Sequence, residues 1–375
     1  SPARSLAVLR AMIDRVDHEV LELFSRRNGL VAELAAYKRE HGVPIRDPQR
    51  EQQLIADRRD RAEPLGLSPE VVESIFRLIL WASRDRQAAL KAAVPLNNQP
   101  RTVAVIGGNG AMGSCMAQLF ADLGHTVLIT DLDTELTVEQ AARDAEVVVL
   151  SVPIDVTAEV IQKVAPHVRK EALLMDVTST KTTPVETMLK ATQASVVGTH
   201  PLFGPSLHSL QGQRIVLVRG RGDSWFDWLK QMFEARGLTV LEATGEAHDR
   251  AMAIVQVLTH FSTEVLGKTL AQLGEPIQET MAFTSPIYWM ELLMTARHFG
   301  QASDLYAAIQ MSNPDTERVT QVFVETAANL KQTLANQDHA SFDALFQEVR
   351  QYFGPFTEQA LEQSGYLIDR LVERM

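Results

Sequence analysis

With 375 residues the chain is long enough for two or three domains, and its 45% apolar side chains are sufficient for ordinary globular cores. A net charge of −11 argues against a general nucleic-acid binder, and the longest apolar runs, such as Val147 to Val152, fall far short of the ~18 residues that span a bilayer. A single cysteine, Cys115, excludes an internal disulfide and suits a reducing compartment; with no signal-peptide core after Ser1-Pro2-Ala3-Arg4, a cytoplasmic location is expected.

Residues 1–93 are expected to form one all-helical domain. From Leu6 to Tyr37 the apolar residues Leu9, Ile13, Val16, Val20, Leu23, Phe24, Leu30, Val31 and Leu34 recur at helical spacing. That predicts one helix of roughly 35 residues, about 50 Å long, whose stripe a unit of this size cannot bury alone, so a partner is expected. His41-Gly42-Val43-Pro44 ends it. Asp47-Pro48 reads as an N-cap followed by proline at N1, opening a second helix to about Ala62, and Ser68-Pro69-Glu70 repeats the signature before a third through Gln87. Residues 1–93 carry 16 Lys+Arg against 14 Asp+Glu, leaving 20 against 33 for the remainder, so an anionic small molecule is more easily accommodated near the N-terminus.

Residues 94–100, Val94-Pro95-Leu96-Asn97-Asn98-Gln99-Pro100, form a breaker-rich linker. Over 101–247 the pattern changes to strands alternating with helices. Strands are predicted at Thr102–Ile106, Thr126–Thr130, Glu146–Val152, Ala172–Val177, Ser195–Thr199 and Arg214–Val218, the order of a mostly parallel, doubly wound sheet. Residues 248–375 read as a second all-helical domain, with helices over 248–273, 285–299, 301–311, 315–336, 341–353 and 355–374.

Strand Val103–Ile106 runs into Gly107-Gly108-Asn109-Gly110-Ala111-Met112-Gly113 and then a helix. The frame Gly108, Gly110 and Gly113 is that of a dinucleotide-binding (Rossmann) turn, where glycine lets the backbone approach a pyrophosphate at a helix N-terminus. Asp131, about 20 residues on at the end of the next strand, would accept from ribose hydroxyls and repel a 2′-phosphate, which favours NAD over NADP. Little room separates Asp131 from the following strand, so one strand of the usual sheet is expected to be missing. Ligands of such sheets lie beyond the carboxyl ends of the strands. Ser151-Val152-Pro153, Ser179, Lys181 and His200 gather there. Pro201 holds His200 extended, and an imidazole of ordinary pKa near 6.5 can take a proton from a hydroxyl.

The runs GTHPLFGP at 198–205, DVTSTK at 176–181 and HDRAMAIVQVLTHF at 248–261 resemble the prephenate dehydrogenase family. The resemblance implies that His200 assists removal of the ring 4-hydroxyl proton as hydride passes to NAD, with loss of carbon dioxide giving 4-hydroxyphenylpyruvate. It further implies that Ser179 orients His200, that Lys181 supports it, that Arg297 meets a substrate carboxylate, that Asp249 is a positioning residue, and that His260 lies near the ligand gate. Met112 falls within the cofactor loop.

In the N-terminal block, Arg27 and Lys38 are eleven residues apart, within about 20° on one helix face and about 16 Å along it, so their side chains can converge on one anion. Arg10 lies roughly 80° away from Lys38 and is better placed for a twofold-related partner. Arg50 and Glu51 open the second helix, Asp47 being its cap, and Ser83 and Gln87 are i, i+4 neighbours on the third. Together LRxxID at 9–14, Arg27, Lys38, PIRDPxRE at 44–51 and SxxxQ at 83–87 resemble the all-helical chorismate mutases. That resemblance assigns Arg10 (from a partner chain), Arg27, Arg50 and Ser83 to carboxylates, Lys38 and Gln87 to the breaking ether oxygen, and Glu51 to the ring hydroxyl. Mutase followed by dehydrogenase is the order of the bifunctional T-protein family of tyrosine synthesis, which implies chorismate and prephenate as substrates, a homodimer, and tyrosine as a possible feedback ligand. Two rival readings stand beside it: a hydroxy-acid dehydrogenase with a helical dimerisation arm, which would leave chorismate untouched, and a dinucleotide-sensing interaction protein whose long helix is only a coiled seam. With no H-E-x-x-H and no paired C-x-x-C, metal catalysis is not expected.

Overall fold

The computed structural model describes residues 4–91, 93–94, 98–207 and 209–372, so linker positions 95–97 and both chain ends lie outside the described residues. The chain divides into two units, one of residues 1–152 and 156–245 and the other of 153–155 and 246–375.

The first unit opens with α1 (Leu6–His41), 36 residues long, capped by the Ser5 side chain accepting from the Val8 N–H and stopped at Gly42, whose φ of 65° few other residues adopt. Next come α2 (Pro48–Ala62) and α3 (Pro69–Ala89), each with proline in its first turn and capped by Asp47 and Ser68. Only Val31, Ala35 and Lys38 of α1 are buried. The N-terminal two-thirds of its stripe stays open, with Ile13 58% and Leu23 61% exposed, as a helix far longer than its two covers must leave it.

The α/β part follows as β1 (Thr102–Ile106), α4 (Ala111–Asp122), β2 (Thr126–Thr130), α5 (Val138–Asp144), β3 (Val147–Leu150), α6 (Ile154–Val164), β4 (Leu173–Asp176), α7 (Thr182–Ala191), β5 (Ser195–Pro201), β6 (Arg214–Arg221), α8 (Asp223–Ala235) and β7 (Thr239–Ala243). Among the described residues these strands form one seven-stranded sheet of order β2-β1-β3-β4-β5-β6-β7. The β5–β6 pair is antiparallel and the remaining pairs are parallel. Strands β3 and β4 are buried along their whole length, which is why they read as unbroken apolar runs and not as alternation. Phe120 of α4 and Phe226 and Phe233 of α8 fill one face of the sheet, while Ala141, Ile161 and Met188 fill the other.

Among the described residues β2 is an edge of the sheet, with no strand paired beyond it. β7 is absent from the predicted strands, and β6 runs to Arg221, three residues beyond its predicted end at Val218. β7 is a five-residue edge strand with no fully buried side chain, and its pairing partner β6 is brought to it only by the crossover through α8.

The second unit is helical. It begins with α9 (Gly245–Met252), then a π-helical stretch at Ala253–Leu258 and α10 (Thr259–Leu273). After these come α11 (Ile277–Ala282), α12 (Pro286–Phe299), α13 (Ser303–Ser312), α14 (Thr316–Ala335), α15 (His339–Phe353) and α16 (Phe356–Val372). The single helix expected over 248–273 thus carries a π segment, and the short α11 was not foreseen. No described residue of α10, α11, α15 or α16 is fully buried within the chain. No described helix is long and apolar enough to cross a membrane.

Candidate functional site

Three groups of polar side chains stand out. In the helical part, α1, α2 and α3 each contribute to one cluster. Arg27 donates from Nη1 to the Ser83 hydroxyl, and Ser83 in turn donates to the Ile79 carbonyl at 2.6 Å. Gln87 donates from Nε2 to the Ser83 carbonyl at 3.1 Å, while its own Oε1 is buried without a hydrogen-bond partner. Lys38 Nζ lies 2.6 Å from the Ile45 carbonyl. Burial holds the Lys38 ammonium below its ordinary pKa against the opposing pull of Asp47 and Glu51; burial, reinforced by Arg58, likewise lowers Arg27. The fold therefore holds two cations on α1, a hydroxyl against one of them and a buried amide without a partner for its oxygen. Arg50 lies exposed in the first turn of α2, its N–H donating to Asp47 at 3.0 Å, so Asp47 is the cap it was expected to be. Arg10 is exposed on α1 and, 28 residues from Lys38, about 42 Å along the helix; it does not join the cluster of its own chain.

The second group is the glycine loop. Gly107 has φ +77°, and a Cβ there would meet the Ser151 carbonyl oxygen at 2.2 Å; one at Gly113 would meet the Gly107 oxygen at 2.1 Å. The turn thus admits glycine alone at both positions. Gly107 was missed in sequence because the spacing rule begins the frame at Gly108. Gly110 precedes α4 with no side-chain cap, which leaves that helix N-terminus open to an anion, and Met112 follows in its first turn. Asp131 accepts from the Asn109 N–H at 3.0 Å and the Leu132 N–H at 2.9 Å, which places its carboxylate beside the loop. Ser151 continues β3, its N–H donating to Ile106 at 2.8 Å, with Val152 and Pro153 after it. A cradle that a Cβ would fill, a bare helix start and an adjacent carboxylate fit a dinucleotide.

The third group lies at the carboxyl ends of β4 and β5. His200 is buried within β5 opposite Val216. The hydroxyl of the preceding Thr199 donates to the Asp176 carbonyl at 2.6 Å. Asp176 ion-pairs with Lys181, both fully buried, and also accepts from the N–H and hydroxyl of Thr178. Its Oδ1 is buried and has no hydrogen-bond partner. Ser179 is half-buried in the turn between Thr178 and Lys181. Asp176 was not anticipated, because an acid ending a hydrophobic strand gives no sign that a lysine five residues on will fold back to it.

In the second unit, Asp249 and His248 are buried side by side, with His248 Nδ1 2.8 Å from Asp249 Oδ1, and Asn313 donates to the Asp249 carbonyl at 2.9 Å. His260 packs edge-on to the Tyr306 ring, its centroid 4.8 Å away, and burial followed by His298 lowers its pKa. His298 meets Glu264 at 3.0 Å. Arg297 is exposed on α12 near enough to Tyr306 to oppose the upward push that burial exerts on its phenol.

Comparison with known proteins accounts for this succession of parts. Residues 9–88 match the family description "Chorismate mutase type II". Residues 121–242 match "Prephenate dehydrogenase, nucleotide-binding domain" and 244–348 its "dimerization domain". The T-protein of Haemophilus influenzae is 32% identical over 368 residues, covering 98% of this chain and 97% of that one. The T-protein of Enterobacter agglomerans is 34% identical over 369 residues, covering 97% of each. A solved prephenate dehydrogenase from Aquifex aeolicus shares the fold over 67% of this chain and 98% of its own, with a TM-score of 0.55 and 20% identity. A helical mutase thus precedes a dinucleotide-fold dehydrogenase in a single polypeptide. The chain belongs to the T-protein family, the bifunctional chorismate mutases/prephenate dehydrogenases of tyrosine biosynthesis.

Proposed function

We propose that the helical cluster rearranges chorismate to prephenate and that the sheet domain oxidatively decarboxylates prephenate with NAD, over domains at 1–93, 101–247 and 248–375 joined by the linker 94–100. The observation that supports the mutase half is the contact of Arg27 with Ser83, to whose carbonyl Gln87 also donates, together with Lys38 further along the same face of α1, where the charge of Glu51 acts on it. The rearrangement is intramolecular and needs no titrating group; it needs a dianion held in a compact conformer and charge stabilised at the breaking ether oxygen. Arg27, Arg50, Ser83 and the partner copy's Arg10 take the carboxylates, Glu51 the ring hydroxyl, and Lys38 and Gln87 the ether oxygen. Charge-assisted contacts of about 1.5–3 kcal/mol each, where they strengthen in the transition state, supply several powers of ten.

In the dehydrogenase half, bound NAD supplies the hydride acceptor. Gly108, Gly110, Met112 and Gly113, with Gly107, shape the pyrophosphate cradle; Asp131 takes the ribose hydroxyls, and Ser151, Val152 and Pro153 border the cofactor. His200 accepts the proton of the ring hydroxyl, Ser179 orients it, and Lys181 supports the site through Asp176. Arg297 takes a substrate carboxylate, with Asp249 and His260 near the ligand. The open stripe of α1 and the helices of the second unit without buried residues support a homodimer. A cytoplasmic location and feedback by tyrosine belong to the same reading.

The test is direct. Chorismate and NAD added together are expected to give chorismate loss and NADH appearance, and prephenate with NAD to give NADH at once. Chorismate left untouched, with no NADH formed from prephenate, would return the rival hydroxy-acid dehydrogenase with a helical arm. A separate expectation concerns Gly107→Ala, whose Cβ would fall 2.2 Å from Ser151 O on a positive-φ backbone. Its KM for NAD is expected to rise by about 5- to 150-fold, the equivalent of about 1–3 kcal/mol of such strain, with chorismate turnover unchanged; an unaltered KM for NAD would remove the loop from the cofactor site.

A further inference from the structure

Glu51 of α2 is held by a residue of α3. Its Oε1 accepts from Arg84 Nη1 at 2.6 Å, a pair that joins α2 to α3 with side chains only 21% and 18% exposed, and is thus poorly screened. The same carboxylate acts on Lys38, where Glu51 and Asp47 favour the charged ammonium against the effect of burial. Glu51 therefore stands between two cations. One of them, by the mutase reading above, must be free to face the ether oxygen.

Arg84 follows Ser83 on α3, about 100° around the helix, so it points away from the Arg27–Ser83 contact and reaches Glu51 from another direction. The next residue, Asp85, accepts from the Ser209 hydroxyl, which ties this turn of α3 to the segment leading into β6. Beyond Arg84 lies a cavity of about 570 Å³ that Trp81, Arg46 and Gln211 also line. If the guanidinium were removed, that space would admit water, and the carboxylate would be left beside Lys38.

We propose that Arg84 is a positioning residue for the mutase reaction: it fixes Glu51 in place for the ring hydroxyl and keeps that carboxylate from pairing with Lys38. An ammonium engaged by a carboxylate is a poorer donor to the charge that develops at the ether oxygen. The proposal rests on the assignment of Lys38 and Glu51 to the chorismate site. Arginine suits the task because its planar fork is set before the contact forms and its charge is permanent.

The experiment is mutase kinetics on the whole chain with Arg84→Ala, Arg84→Lys, Glu51→Gln and the double variant Arg84→Ala/Glu51→Gln. Arg84→Ala is expected to lower kcat roughly tenfold and to raise KM for chorismate by less, and Arg84→Lys to recover part of the loss. The double variant is expected to be no slower than Glu51→Gln alone, since an uncharged amide no longer captures Lys38. Prephenate oxidation by the same preparations is expected to stay at the wild-type rate, which reports an intact fold. Wild-type mutase kinetics for Arg84→Ala would overturn the proposal, and so would losses that multiply in the double variant while Glu51→Gln is itself impaired. If Glu51→Gln is unimpaired, Glu51 is not at the chorismate site and the underlying assignment falls with it.

Discussion

His200→Asn is expected to abolish prephenate oxidation while chorismate turnover continues at close to its wild-type rate, and Lys38→Ala is expected to slow chorismate turnover while sparing prephenate oxidation. An asparagine can still hydrogen-bond but cannot accept the proton, and a lost general base removes about 10²–10⁴-fold. Lys38→Ala removes one charge-assisted donor, about 1.5–3 kcal/mol, or ten- to a hundredfold if that contact strengthens in the transition state. The reciprocity follows from the fold. Lys38 sits near the end of α1 and donates to Ile45, whereas His200 is buried in β5 against β6. Separate assays with chorismate and with prephenate on each variant decide the matter; loss of both activities from a variant that melts like the wild type would mean one shared centre.

How much of this was legible in the sequence depended on whether the governing interaction was local. The caps Asp47 and Ser68 bond to groups three residues away, so helix starts could be read directly. β1 and β2 fall at their predicted bounds because the glycine turn and Asp131 frame them. What escaped depends on chain far away. β7 needs β6 beside it, and the π stretch at Ala253–Leu258 breaks no apolar periodicity that a one-helix reading would notice. The same holds inside the sites. Helical arithmetic placed Arg27 and Lys38 on one face, but the pairs Arg27–Ser83 and Arg84–Glu51 join residues 56 and 33 apart in the chain and depend on how α2 and α3 pack. His200 was recognised by its motif; its burial opposite Val216 comes from the one antiparallel pairing of the sheet.

The largest stability effect is expected at the ion pair between Lys181 and Asp176, both 0% exposed. Lys181→Ala would leave the Asp176 carboxylate in the interior with the Thr178 N–H and hydroxyl on one oxygen and no hydrogen-bond partner on the other. Breaking a buried pair from one side costs about 3–5 kcal/mol because the surviving charge stays desolvated. Against a total stability of roughly 5–15 kcal/mol, that lowers the melting temperature of a domain this size by on the order of 10 °C, which calorimetry can read. The damage should also reach His200, since Thr199 holds β5 to β4 through the Asp176 carbonyl. Replacing both partners with apolar side chains, Asp176→Leu with Lys181→Met, removes the stranded charge and is expected to restore most of the melting temperature. Prephenate oxidation should nevertheless stay impaired in the double variant, because a well-packed apolar pair cannot supply the lysine that supports the histidine. A double variant that regains both stability and oxidation would reduce Lys181 to a packing element, and a Lys181→Ala protein that melts with the wild type would show that the pair contributes nothing to the fold.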